Sequence, residues 1–201
     1  MNPIFFDPRS GELRELRPAA APRVSAALGR PGAAREAAVF SALRDALGFL
    51  GLSVAAGREI VVSTRAPGAE SAWLRPAPLE GGLPAPAELA ARGFSSADAD
   101  FFLRFAAHYR SPLVFSWDAL SQARAQRQRL LSAAAAHAAV TLEPSARALA
   151  GYLHRFREAL RRDLNFPEAL SCVHDALRPG ALSPGSRASL LKRVLPTTTS
   201  P

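Results

Sequence analysis

AELAARGFSSADADFFLRFAAHYRSPLVFSWDALSQARAQRQRLL, residues Ala87 to Leu131, decides the fold. A break at Gly93 and Phe94 separates a short helix from a second one, which Ser95 or Ser96 caps and which ends near His108. Tyr109 to Phe115 reads as an extended crossing, and Ser116 then caps a long helix. Helix, crossing and long helix in succession mark a chain passing from a mixed subdomain into a helical bundle.

Three words carry more than secondary structure: HYRSPLVFS at His108 to Ser116, ALSQAR at Ala119 to Arg124, and DLNFPEAL at Asp163 to Leu170. In this order and at about this spacing they resemble the cysteinyl-tRNA synthetase family, where its catalytic half passes into its helix bundle, the DALR domain. The position that resembles the name-giving motif is SADADFFL, Ser96 to Leu103; the literal DALR at Asp175 to Arg178 carries no weight. The resemblance is strong from Ala87 to Leu177 and weak from Ile4 to Thr64. With 201 residues the chain is short of a complete synthetase of this family, so a truncated, degenerate paralog is expected.

Composition fits a globular protein of one to one and a half domains, with 48% hydrophobic and 21% charged residues. Its 17 prolines and 13 glycines concentrate in the first half and at the tail, which predicts the looser half. A net charge of +8 and a pI near 11.2 suit a polyanionic partner, most plausibly nucleic acid; the alternative is an arginine-rich compositional habit, since Lys192 is the only lysine. The single cysteine, Cys172, excludes an internal disulfide and any multi-cysteine metal site, and its helical setting predicts a buried, inert thiol. Neither a membrane-spanning run nor a leader is evident in the sequence, so a cytoplasmic protein is the expectation.

Toward the N-terminus, Ile4 to Leu16 reads as a hairpin around a Pro-Arg-Ser-Gly turn. A strand at Arg23 to Leu28, an amphipathic helix at Ala33 to Leu50 and a strand at Glu59 to Thr64 make a βαβ unit. Two parallel strands cannot bury both faces alone, so this fragment must dock on the bundle or on a partner. The resemblance allows the family's catalytic signatures to be sought here. The metal-ligating cysteine would fall near Ala26 to Gly29, where there is none. The HIGH histidines would open the helix in RPGAAREAAVFSALRDAL, where both are missing. The KMSKS loop would lie in LRPAPLEGG, Leu74 to Gly82, which has no lysine and no serine. Together these departures remove most of the electrostatic stabilisation that adenylation needs.

Within the bundle, the helix from Trp117 to Ala139 carries an apolar stripe of Leu120, Ala123, Leu130, Leu131 and Ala134. Arg127 interrupts it; its guanidinium must snorkel, pair with an acid such as Glu158, or meet something other than apolar core. The next helix, Ser145 to Leu164, buries Leu149, Tyr152, Leu153, Phe156 and Leu160. Arg147, His154, Arg157 and Arg161 lie within about 80° of one another on its other face. That stripe is either an ordinary solvated face or a phosphate contact. Tyr109 and Arg110 are candidate RNA-facing residues because the family's junction lies along the inner face of the tRNA; local packing is the alternative. DLNFPEAL supplies a helix start through Asn165 or Asp163, with no catalytic role. His108, His137, His154 and His174 do not form a metal-ligand spacing.

The expected architecture is α+β, mostly α: a Rossmann-like remnant over 1–66, a Pro/Gly-rich linker over 67–86, a junction plus DALR-like helical bundle over 87–195, and a disordered tail over 196–201. The expected function is a non-catalytic, synthetase-like RNA-binding accessory with tRNA as its possible partner, no cofactor and no membrane contact. The alternatives are a pseudoenzyme that binds a protein partner through its incomplete N-terminal sheet and, as a minor reading, an ATP-dependent cysteinyl ligase.

Overall fold

A computed structural model describes residues 2–18, 22–29, 33–140 and 144–199. The chain opens with an antiparallel hairpin, β1 (Ile4–Asp7) and β2 (Glu12–Glu15). Strand β3 (Arg23–Leu28), helix α1 (Ala34–Phe49) and strands β4 (Ser53–Ala56), β5 (Ile60–Val62) and β6 (Ala72–Leu74) follow. These strands form one parallel sheet in the order β4-β3-β5-β6. Strand β7 (Leu79–Glu80) and helices α2 (Pro86–Ala91) and α3 (Ser96–Phe105) lead to β8 (Leu113–Val114), which pairs with β7 in parallel. The bundle is completed by α4 (Trp117–His137), α5 (Ala146–Arg161), α6 (Phe166–Leu177) and α7 (Pro184–Thr199). The fold is therefore mixed α+β and mostly α, a Rossmann-like fragment followed by a helical bundle.

The sheet has four strands where the sequence reading expects two. Ser53–Ala56 contains only one β-branched residue, and Ala72–Leu74 is three residues long inside a Pro/Gly-rich stretch, too short for an alternation to register. The stretch expected as a linker thus supplies an edge strand and β7. The register explains how β4 and β5 flank β3 without a helix between them. Ala26 faces Ala56 on one side and Ile60 on the other, so residues 57–59 cross β3 at one level. That crossing needs glycine: a Cβ on Gly57 would sit 2.4 Å from the Ser25 Cβ. Glu59 clamps it, its carboxylate accepting from the Ser25 amide while its own amide donates to the Ser25 hydroxyl.

One sheet face is closed by α1, with Val24, Ala26, Ile60, Val62 and Leu74 buried. On the other, Val61 and Trp73 are buried, the Trp73 Nε1 donating to the Ser63 carbonyl at 2.7 Å, while Ser25 and Ala27 are half-buried and Ala55 is exposed. Helix α1 also packs against α3, α5 and α7, which makes it the shared wall of sheet and bundle. Phe49 meets Phe156 of α5 edge-on at 4.9 Å, and Phe105 of α3 meets Phe166 of α6 at 5.4 Å. Phe105, Phe156 and Phe166 are buried, and each such side chain contributes roughly 1.5–3 kcal/mol of transfer free energy. The C-terminal segment expected to be disordered from 196 continues α7 as far as Thr199; residues 200 and 201 lie outside the described set.

Helix boundaries in the deciding stretch follow their caps. Ser95 and Asp98 form a reciprocal capping box at α3, the Ser116 hydroxyl accepts from Ala119 N at 3.1 Å at α4, and the Asn165 side chain accepts from Glu168 N at 3.1 Å at α6. No described helix is long and apolar enough to cross a membrane.

Candidate functional site

A buried carboxylate with three hydrogen-bond donors lies where α5 turns into α6. Asp163 and Leu164 both adopt left-handed backbone, with φ of 61° and 49°. Aspartate tolerates this conformation, whereas leucine there costs about 1–2 kcal/mol, so surrounding contacts must hold the corner in place. The turn places the Asp163 carboxylate in the interior. Its Oδ1 accepts from the Tyr109 hydroxyl at 2.5 Å and from Phe6 N at 2.9 Å, and its Oδ2 accepts from Arg110 Nε at 2.6 Å. The Asp163 amide donates to the Ile4 carbonyl, and the His108 Nε2 lies 2.9 Å from the Asp163 carbonyl. The His108 Nδ1 accepts from Arg110 N, so a neutral ring carrying its proton on Nε2 satisfies both contacts. Burial lowers the His108 pKa below the ordinary 6.5, against the opposing pull of Asp163. Burial, then the Asp163 charge, pushes Tyr109 well above its ordinary value, so the phenol stays a donor.

Two of the words singled out in the sequence, HYR and DLN, therefore meet at one carboxylate and tie the hairpin to the bundle. A neighbouring arginine completes the junction. Arg35 in the first turn of α1 donates to the carbonyls of Leu103, in the last turn of α3, and of Ala107 and His108 just beyond it. Burial lowers its pKa to about 10, so it remains charged at neutral pH. Arg104 of α3 bonds Asp45 and Ser41 of α1 and pairs with Asp100. Arg127 finds Asp98 at 3.3 Å, the same carboxylate that closes the α3 capping box, and not Glu158.

The predicted contact residues divide between junction and surface. Tyr109 is buried, 5% exposed, with its hydroxyl spent on Asp163, so it faces the interior and not solvent. Arg110 is exposed but committed, its Nε on Asp163 and its guanidinium over the Phe6 ring at 4.2 Å. Arg161 is half-buried, bidentate to Glu158 at 3.0 Å and bonded to the Asn2 carbonyl. Arg147, His154 and Arg157 are exposed and make no hydrogen bond or ion pair with the described residues. Over more than two turns α5 thus presents two arginines, Arg147 and Arg157, without an acid partner among the described residues. Cys172 is buried and burial raises its pKa, as expected of an inert thiol.

A cleft of about 490 Å³ opens beside Arg110, between Phe6, Thr64, Arg75 and Pro112, at the C-terminal ends of β5 and β6. The sequence reading missed Asp163 as the centre of the junction. The available signal was a buried-type Tyr and an Arg in one word and an acid opening another, both far from any helix interior.

No family model matches the chain. Among curated proteins it is similar to the cysteine–tRNA ligase of Treponema pallidum (strain Nichols), 35% identical over 120 residues, which is 50% of this chain and 23% of that protein. It is 40% identical over 77 residues to the cysteine–tRNA ligase of Chromohalobacter salexigens, covering 38% of this chain and 16% of that one. It is 44% identical over 73 residues to that of Pectobacterium carotovorum subsp. carotovorum, covering 35% and 15%. The aligned segments thus span less than a quarter of these relatives' length. A Rossmann-like fragment joined to a helical bundle, with this likeness, defines a synthetase-like chain. That likeness to cysteine–tRNA ligases covers 35–50% of this chain.

Proposed function

We propose that this chain is a non-catalytic RNA-binding accessory whose contact surface is the exposed stripe Arg147, His154 and Arg157 of α5. The observation that carries this reading is the contrast in charge pairing: Arg147 and Arg157 have no acid partner among the described residues, while Arg161 and Arg127 are matched to acids. Unpaired arginines along a rigid helix suit phosphate oxygens, which position a polyanion without reading its bases. The likeness to cysteine–tRNA ligases makes tRNA the leading candidate, with a DALR-like bundle presenting the stripe. Catalytic silence is supported by the sequence, in which neither the HIGH histidines nor the KMSKS lysines have counterparts.

The test is a titration of labelled tRNA with the purified chain at increasing salt, with an unrelated tRNA and duplex DNA in parallel. Micromolar or tighter binding near physiological salt, preferring tRNA and weakened by R147A/H154A/R157A, supports the reading. Equal, salt-abolished binding of every polyanion sinks it. A protein-binding role has one observation in its favour, the open outer face of the sheet at Ser25, Ala27 and Ala55. That face is lined by small side chains, and the exposed large apolar residues, Leu13, Val114 and Leu131, lie outside the sheet's four strands.

A further inference from the structure

A second group of unneutralised cations lies at the corner where α2 meets α4. Gly93, at φ +77°, ends α2 and turns the chain so that Phe94 stacks on Trp117, ring centroids 5.8 Å apart and planes 29° from parallel. The Arg92 guanidinium lies over the Trp117 indole at 4.1 Å, and Arg124, two turns along α4, lies over Phe94 at 5.4 Å. Phe115 closes the edge of the indole at 5.2 Å. Arg92 is exposed, and Phe94, Trp117 and Arg124 are half-buried. Neither arginine forms an ion pair among the described residues, although Glu88 precedes Arg92 by one helical turn and Asp118 adjoins Trp117. Phe94 also walls a cleft of about 550 Å³ with Leu83, Pro84, Leu89 and Ser96, leaving space beside the stack.

A guanidinium held on an aromatic ring has lost little further freedom to lose on binding, and it offers a planar cationic surface together with N–H donors. Unpaired nucleobases stack on such surfaces, and phosphates pair with the donors. We propose that the Arg92–Trp117–Phe94–Arg124 corner is a stacking site for an unpaired nucleotide, with the base against Arg92 and the flanking phosphate on Arg92 and Arg124. The site rests on the RNA-binding reading and adds to it a selectivity that the α5 stripe lacks. The stripe grips backbone of any RNA; the corner selects RNA with a single-stranded segment beside a stem.

Fluorescence anisotropy with a blunt RNA hairpin and the same hairpin carrying a short single-stranded extension tests the proposal on the whole chain. The extended hairpin is expected to bind roughly tenfold tighter. R92K keeps the charge and loses the planar surface, so it should erase most of that preference, whereas R147A/R157A should weaken both hairpins alike. Trp117 emission should be quenched by the extended hairpin and not by the blunt one, Trp73 being only 8% exposed. Equal affinity for the two hairpins, or a preference that survives R92K, overturns the stacking site and leaves the stripe standing. Failure to bind either hairpin overturns the RNA reading and the stacking site together.

Discussion

The junction at Asp163 and the outer face of α5 are built from the same residue types and use them in opposite ways. At the junction, Arg110, Tyr109 and the Phe6 amide all converge on one buried carboxylate, and Arg35 covers the carbonyls at the end of α3. On α5, Arg147 and Arg157 have no such partners among the described residues. A buried charge without its partner is costly, so the paired arginines are constrained by folding. An exposed charge costs little to leave unpaired, so its identity is open to a ligand. The number of basic residues on a helix therefore says less about binding than the fraction that the protein has already neutralised.

The largest effect expected is from D163A, which strands a buried phenol, an amide and a guanidinium together; unfolding in urea should show a loss of about 3–5 kcal/mol. D163N, which keeps the left-handed backbone and one oxygen acceptor, should lose less. G57V comes next: its side chain meets Ser25 at a crossing with no room, and a loss of about 1–3 kcal/mol is expected in the same assay. R147A/H154A/R157A should change stability by no more than about 0.5 kcal/mol per site while lowering the slope of log affinity against log salt by about two. A stability loss comparable to that of D163A would break the contrast between the two regions. The pH dependence is smaller still. Burial lowers the pKa of His108 and of His174 in the folded state, so the unfolded chain takes up protons first as pH falls below 6.5. Stability should accordingly be full above that value and decline toward pH 5, less so in H108Q/H174Q, as read by thermal melts. R155A, which opens an exposed pair with Asp175, should be nearly silent, within about 0.5 kcal/mol.

Much of the helical half is legible in the sequence because its signals are local. Ser95, Ser116 and Asn165 mark helix starts through bonds that span three residues, and the apolar period of Leu149, Phe156 and Leu160 predicts the buried face of α5. The sheet is less legible. Strands β4 and β6, SVAA and AWL, are too short to carry an alternation, and the placing of β4 and β5 on either side of β3 is decided by a glycine crossing that periodicity does not register. The site is divided in the same way. Exposure of Arg147, His154 and Arg157 follows from the helix period, whereas the burial of Tyr109 depends on an acid 54 residues away. Arg127 makes the same point: it does find an acid, but one on a preceding helix that the helical wheel of α4 cannot show.

The bond from Phe6 N to Asp163 spans 157 residues of chain. At a synthesis rate of about 5–20 residues per second, the hairpin waits roughly 8–30 s on the ribosome before its carboxylate partner exists. The hairpin is thus locked long after it is made, and closing so long a loop is a slow, high-contact-order step. Translation order, with the α5–α6 corner as its final latch, sets when the N-terminal strand stops being an unpaired edge.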